Sequence, residues 1–121
     1  MVRTISILGS TGSIGVNALK VISNLKKSFK VKYLSTNKNV DLLSSQIKEY
    51  KPKSVAVVDE LAAKKIKSAL DEMGIELLIG KVGLLDLSQR HDIDLVLNGL
   101  VGASGMQPTI NAIRAGVNVA L

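Results

Sequence analysis

Thr4-Ile5-Ser6-Ile7-Leu8-Gly9-Ser10-Thr11-Gly12-Ser13-Ile14-Gly15 decides how this chain folds. Thr4 to Leu8 alternates apolar and small polar side chains and is rich in β-branched residues, the pattern of a buried strand. Three glycines follow at once. Ile14, Ala18, Val21, Ile22 and Leu25 then recur at helical spacing, which predicts a helix with those residues as its apolar face. Strand, glycine loop and helix open a dinucleotide-binding unit. Gly9 is free to take positive φ and turn the chain off the strand. Gly12 lacks the Cβ that would keep a pyrophosphate from the backbone, and Gly15 allows close packing of the helix. Unpaired N–H groups and a partial positive charge at the helix start favour an anion. Ser10, Thr11 and Ser13 add hydroxyl donors. A Walker loop is excluded, because no Lys follows Gly15. Glycine triplets also occur in plain turns, but the flanking strand and helix favour a nucleotide.

Outward from that unit, strands and helices alternate. Lys30 to Ser35 reads as a second strand with Val31, Tyr33 and Ser35 on one side. Asn39 caps the next helix, whose stripe is Leu43, Ile47 and Tyr50, and Pro52 ends it. Ser54 to Val58 is a third strand, apolar enough for a parallel sheet covered on both faces. Asp59 caps a third helix carrying Ala62, Ile66, Ala69, Leu70 and Met73, with Gly74 at its end. Ile75 to Ile79 forms a fourth strand closed by Gly80. Lys81 to Arg90 is a short helix or turn with Leu84, Leu85 and Leu87, and Asp94 to Leu97 a fifth strand. Residues 98 to 105 form a second glycine-rich loop. Met106, Ile110 and Ile113 line the helix after it, which admits Pro108 in its first turn and stops at Gly116. Val117 to Leu121 begins a sixth strand. The expected fold is α/β: a doubly wound parallel sheet, a Rossmann-like NAD(P)-binding domain over residues 1–121. The chain stops inside an apolar strand, which suggests a truncated chain.

Composition narrows the function classes. The 121 residues carry 46% hydrophobic and 21% charged side chains, a globular balance. There is no Cys, hence no disulfide or thiol nucleophile. A single His makes a histidine zinc site implausible. No apolar run is long enough to span a bilayer and no signal-peptide pattern opens the chain, so a cytoplasmic protein is expected. The net charge of +6 comes mostly from Lys, clustered at Lys26, Lys27, Lys30 and Lys32 and again at Lys64, Lys65 and Lys67. Interleaved aromatics and recognition motifs are missing, so no nucleic-acid or membrane partner is expected, only a bias toward small anionic ligands.

The turn after the second strand selects the cofactor. NAD-binding units place Asp or Glu about 20 residues beyond the glycines, to hold the ribose hydroxyls. Here the strand runs into Thr36-Asn37-Lys38-Asn39, with no carboxylate before Asp41. Two amides and a cation favour a 2′-phosphate, hence NADP.

Gly9-Ser10-Thr11-Gly12-Ser13-Ile14-Gly15, Lys38-Asn39-Val40, Val101-Gly102-Ala103-Ser104-Gly105, Pro108-Thr109 and Ala112-Ile113-Arg114-Ala115-Gly116 together resemble the 1-deoxy-D-xylulose 5-phosphate reductoisomerase family, over essentially the whole chain. The resemblance implies an NADPH enzyme of non-mevalonate isoprenoid biosynthesis, converting 1-deoxy-D-xylulose 5-phosphate to 2-C-methyl-D-erythritol 4-phosphate. It implies that Thr11, Gly12, Ser13, Ile14, Asn37, Lys38 and Asn39 contact NADPH, with Gly99 to Gly105 beside the nicotinamide. Asn37 departs from the Gly that many members carry there. It further implies a homodimeric parent whose later segments, an Asn-Lys-Glu stretch, a magnesium or manganese site and a phosphosugar site, fall outside these residues. The chain then has no catalytic residue and no metal site of its own, and the fragment alone is inactive.

Catalysis within the 121 residues finds little support. Tyr33 and Tyr50 are followed at the Tyr-x-x-x-Lys spacing by Asn37 and Ser54, and a semialdehyde dehydrogenase would need a Cys. His91 reads as solvated, and Asp59, Glu60, Asp71 and Glu72 as helix-end carboxylates. The alternative is a stand-alone NADP-binding or redox-sensing module, which lacks the Asn-Lys-Glu segment and second domain.

Overall fold

The structure is a computed structural model that describes residues 2–25, 27–100, 108 and 114–120. Six strands make one sheet: β1 (Arg3–Leu8), β2 (Phe29–Thr36), β3 (Ser54–Val57), β4 (Glu76–Ile79), β5 (Leu95–Asn98) and β6 (Asn118–Ala120). Their spatial order is β4-β3-β2-β1-β5-β6, and every neighbouring pair is parallel. The four described helices are α1 (Ser13–Ser23), α2 (Val40–Tyr50), α3 (Glu60–Met73) and α4 (Gly80–Ser88). The chain steps outward from β1 to β4, returns to the other side of β1 as β5, and steps outward again. This is the doubly wound α/β fold expected, and its winding reverses between β1 and β5, where such sheets open a crevice at their carboxyl edge.

Two cores flank the sheet. On one face Ile5, Ile7, Val31, Leu34, Val55 and Val57 pack against Leu19 and Ile22 of α1, Leu43 and Ile47 of α2, and Ala62, Ala63, Ile66 and Leu70 of α3. On the other, Leu8, Tyr33, Ala56 and Val96 pack against Leu84 and Leu87 of α4, with Ile93 and Val117. Central strands are thus buried on both sides, which is why β3 reads as an unbroken apolar run. Leu34 is fully buried between β2 and the helices. Leu34→Ala would cost about 2–5 kcal/mol through lost transfer energy and a residual cavity.

Helix boundaries follow the punctuation in the sequence. The Asn39 Oδ1 accepts from the Leu42 N–H at 3.2 Å, and the Asp59 Oδ2 from the Ala62 N–H at 2.9 Å, so both are N-caps. Gly74 ends α3 with φ 71°. Lys51 ends α2 in the same left-handed region, φ 49°, directly before Pro52.

Four expectations are corrected. The buried face of α1 is Gly15, Leu19 and Ile22, whereas Ile14, Val21 and Leu25 are exposed. The helix must lay Gly15, the residue without a side chain, against the loop, and this turns the expected face toward solvent. In α3, Ala69 and Met73 are exposed and Ala63 is buried instead. Gly80 does follow the last residue of β4, but the helix expected from Lys81 to Arg90 already begins there and ends at Ser88. Finally, Val31 and Tyr33 do not share a face. The pairing steps from Ile5 with Val31 to Ser6 with Tyr33, so Lys32 is an extra residue, and this bulge sends Tyr33 to the opposite core. Lys26, the 101–105 part of the second glycine loop, and Met106, Ile110 and Ile113 lie outside the described residues. Among those described, no helix is long and apolar enough to cross a membrane.

Candidate functional site

Beyond Leu8 the chain turns through Gly9, whose φ of 74° lies in the left-handed region that favours glycine. The turn is fastened from behind. The Gly9 N–H donates to the Ser35 Oγ at 2.8 Å and the Ser10 N–H to the Ser35 carbonyl at 2.8 Å. The Ser10 Oγ lies 2.8 Å from the Gln46 Oε1 and 3.1 Å from the Ser35 carbonyl, while the Gln46 Nε2 donates to the Ser10 carbonyl at 2.9 Å. Ser10 is therefore not an anion donor, as the sequence suggested: its hydroxyl is completely buried and spent inside the protein. The Thr11 hydroxyl is also paired, 2.6 Å from that of Thr36.

Past this anchored turn the chain opens to solvent. Gly12, Ser13 and Ile14 are exposed. Gly12 is the N-cap of α1 and offers no side-chain cap, and the first intrahelical bond runs from the Val16 N–H to the Gly12 carbonyl at 2.9 Å. The N–H groups of the first turn have no acceptor within the helix and face the place where an anion would sit. Gly15 is held tightly: a Cβ there would lie 2.4 Å from the Gly9 carbonyl oxygen. A Cβ on Gly12 would meet nothing nearer than the Gly9 oxygen at 3.6 Å. The fold itself requires glycine at 15 and not at 12. From the far side of the switch point, the Gly99 N–H donates to the Leu8 carbonyl at 2.8 Å, bringing the end of β5 onto the same loop.

The turn after β2 is the second half of the site. The Thr11–Thr36 hydroxyl pair ties it to the glycine loop. The Asn37 carbonyl accepts from the Asp59 N–H at 2.8 Å, and the Lys38 carbonyl from the Val40 N–H at 2.9 Å. Asn37, Lys38 and Asn39 are exposed. The Asn39 oxygen is engaged as the α2 cap, which leaves its amide N–H2 as a donor. Lys38 takes part in none of the ion pairs among the described residues. One carboxylate absent from the sequence-based picture of this turn is Asp59. It sits beside Asn37, but its oxygen is committed to the start of α3. The structure thus brings Thr11, Gly12, Ser13 and Ile14 to one edge with Asn37, Lys38 and Asn39: a helix N-terminus with no side-chain cap among the described residues, joined to a cationic, amide-bearing turn.

Charged residues at the amino edge of the sheet serve the fold. Lys32 and Arg90 lie over the buried Tyr33 ring, 5.8 and 5.7 Å from its centroid, and the Tyr33 hydroxyl donates to Asp92 at 2.9 Å. Lys32 pairs with Asp92 at 2.7 Å, and Arg90 with Glu76 at 3.1 Å. Burial alone would raise the Asp92 pKa, but hydrogen bonds from Lys32 and Tyr33 outweigh it and hold the carboxyl below its ordinary value. The Arg90 hydrogen bond, followed by that of Ser54, lowers Glu76. Burial pushes the Tyr50 hydroxyl up to about 12. His91 is exposed. Among the described residues no three His, Cys, Asp or Glu side chains gather as a metal site.

Sequence reasoning missed Ser35, Thr36 and Gln46. Gln46 was detectable: it stands on the Leu43-Ile47-Tyr50 stripe of α2, and a polar residue on a buried stripe needs partners.

The family profile described as 1-deoxy-D-xylulose 5-phosphate reductoisomerase matches residues 5–121. The reductoisomerase of Chloroherpeton thalassium is 43% identical over 119 residues, covering 98% of this chain and 31% of that protein. The one from Caldanaerobacter subterraneus subsp. tengcongensis is 46% identical, with the same coverage. Among solved structures, the Zymomonas mobilis reductoisomerase in complex with NADPH superposes with a TM-score of 0.91 at 30% identity, over 100% of this chain and 32% of that one. A DOX-P reductoisomerase in complex with NADPH, fosmidomycin and magnesium gives 0.89 at 27% identity, over 99% and 30%. The chain spans about a third of the length of the relatives it matches.

Proposed function

The chain belongs to the 1-deoxy-D-xylulose 5-phosphate reductoisomerase family, and from that premise we propose that residues 1–121 are the NADPH-binding domain of such an enzyme. The whole protein would convert 1-deoxy-D-xylulose 5-phosphate to 2-C-methyl-D-erythritol 4-phosphate as a cytoplasmic homodimer, with its catalytic residues and divalent metal in further domains. The observation that carries this reading is the N-terminus of α1, which has no side-chain cap, joined through the Thr11–Thr36 hydroxyl pair to a turn whose exposed Lys38 takes part in no ion pair among the described residues. A dinucleotide bearing an extra phosphate fits those two features together.

When bound, NADPH supplies the hydride that reduces the aldehyde formed by rearrangement of the phosphosugar. The residues here bind and orient it. Backbone N–H groups of the first turn of α1, with the Ser13 hydroxyl, receive the pyrophosphate, and the bare Gly12 admits it. Exposed Ile14, next in the first turn of α1, would contact the bound dinucleotide. Lys38, with the Asn37 and Asn39 amides, receives the 2′-phosphate. The described residues do not fit a metal, and no metal step is assigned to them.

The test is calorimetric titration of the chain with NADPH and with NADH. A charge-assisted contact to the 2′-phosphate contributes about 1.5–3 kcal/mol, so NADPH should bind about 10- to 100-fold more tightly. Equal affinity, or no binding of NADPH, refutes the reading.

A further inference from the structure

We propose that Gln46 is a positioning residue for pyrophosphate recognition: it touches no ligand but fixes the glycine loop in its receiving shape. The inference rests on the NADPH reading above and goes beyond it, since Gln46 belongs to a different helix and is 7% exposed.

The argument is one of hydrogen-bond satisfaction. Ser10 is buried, and each of its polar groups is used: N–H to Ser35, hydroxyl to Gln46 and Ser35, carbonyl to Gln46. The Gln46 amide accepts from the Ser10 hydroxyl while donating to the Ser10 carbonyl, which neither an aliphatic side chain nor an ionised carboxylate can do. The carbonyl also fixes which way the amide points, because the reversed amide would face one oxygen with another. With the Ser10 carbonyl pinned inward, the following peptides must run outward through Thr11 and Gly12 into α1. Loss of the Gln46 amide would leave a buried carbonyl unpaired, and the loop would rotate to hydrate it. That rotation would move the first-turn N–H groups away from their anion.

The 2′-phosphate half of the ligand supplies the control. Lys38 and Asn39 are set by their own turn and by the α2 cap, not by the Gln46 amide. NADPH, which has a pyrophosphate, and adenosine 2′-monophosphate, which does not, should therefore respond differently. The experiment titrates both ligands into wild type, Gln46→Met and Gln46→Glu at about pH 8 and about pH 5.5. At the higher pH, both variants should bind NADPH at least about tenfold more weakly, the loss of one hydrogen bond to a buried partner. Adenosine 2′-monophosphate should stay within about threefold of wild type. A buried carboxyl titrates above its ordinary range. At the lower pH, Gln46→Glu is protonated and again donates to the Ser10 carbonyl, so it should regain NADPH affinity relative to wild type, while Gln46→Met should not. Should Gln46→Met fail to fold, the pH response of Gln46→Glu decides alone. Unchanged NADPH affinity, a parallel loss for both ligands, or no recovery at low pH overturns the proposal. Failure of wild type to bind NADPH overturns the underlying reading instead.

Discussion

Substituting alanine at Gly12 and at Gly15 in turn should separate folding from ligand binding within three residues. Gly12 has φ −80° and ψ 174°, a conformation open to any residue, and an added Cβ would lie 3.6 Å from the Gly9 oxygen and 4.0 Å from the Gly99 oxygen, ordinary contact distances. Two small effects then oppose each other. Reduced freedom of the unfolded chain stabilises Gly→Ala by about 0.4–1 kcal/mol, and the poorer N-cap costs roughly the same. The melting temperature should therefore barely move. At Gly15 the new carbon would lie 2.4 Å from the Gly9 oxygen and 2.5 Å from the Ser10 Cα, so backbone must shift. Overpacking of this kind costs about 1–3 kcal/mol or more, a fall of several degrees for a domain of this size. NADPH binding should behave the opposite way at Gly12. On the proposed reading the methyl group would occupy the approach of the pyrophosphate, and losing one or two charge-assisted hydrogen bonds would weaken binding about 10- to 10,000-fold. Thermal melts followed by circular dichroism, paired with calorimetric titration, read both quantities. A Gly12→Ala chain that binds NADPH like wild type, or a Gly15→Ala chain that melts like wild type, would falsify this account of the loop.

Lys38→Ala should weaken NADPH about 10- to 100-fold and leave NADH nearly unchanged, and Lys38→Asp should reverse the preference. Rising salt should narrow the wild-type gap because the site is exposed, whereas an equal loss for both cofactors would show that Lys38 does not read the 2′-phosphate. In acid, Asp92 and Glu76 both have folded pKa values below their ordinary ones. Their contribution is present above the unfolded values and is lost as pH falls through the folded ones, so stability should decline below about pH 4. Tyr33→Phe removes one donor from Asp92 and should lower stability near neutral pH while shrinking that acid-sensitive part. An acid melt identical to wild type would deny Tyr33 this role.

Element order and type were legible because each strand and helix carries its own local signal. Asn39, Asp59 and Gly74 mark helix ends with their own side chains or lack of one, so no tertiary information is needed to read them. The apolar face of α1 was misread for a tertiary reason. Periodicity weighs Ile14 and Val21 as heavily as Ile22, but the helix is rotated by the need to bury Gly15, which contributes nothing to an apolar count. The bulge at Lys32 was invisible because an extra strand residue leaves composition unchanged and shifts only the phase. In the candidate site, exposed Gly12, Lys38 and Asn39 could be named from spacing. The supports behind them, Ser35, Thr36 and Gln46, come from two other elements, and only the assembled sheet brings them to the loop.

The two cores also differ in how much chain each must wait for. The buried members of the first fall between Ile5 and Ile75, so β1 to β4 with α1 to α3 can consolidate before β5 exists. The second needs Leu84, Leu87, Ile93, Val96 and Val117. Synthesis at about 5–20 residues per second puts β5 roughly one to four seconds behind β4. Over that interval β1, the central strand of the finished sheet, is a temporary edge with its pairing groups toward β5 unfilled. The loop after β1 is held by Ser35 and Gln46, both from the earlier half, so its shape forms first, and Gly99 closes against a surface already made. In the nascent protein the glycine loop is the older structure, and the edge of β1 beneath it stays exposed to mispairing until β5 arrives.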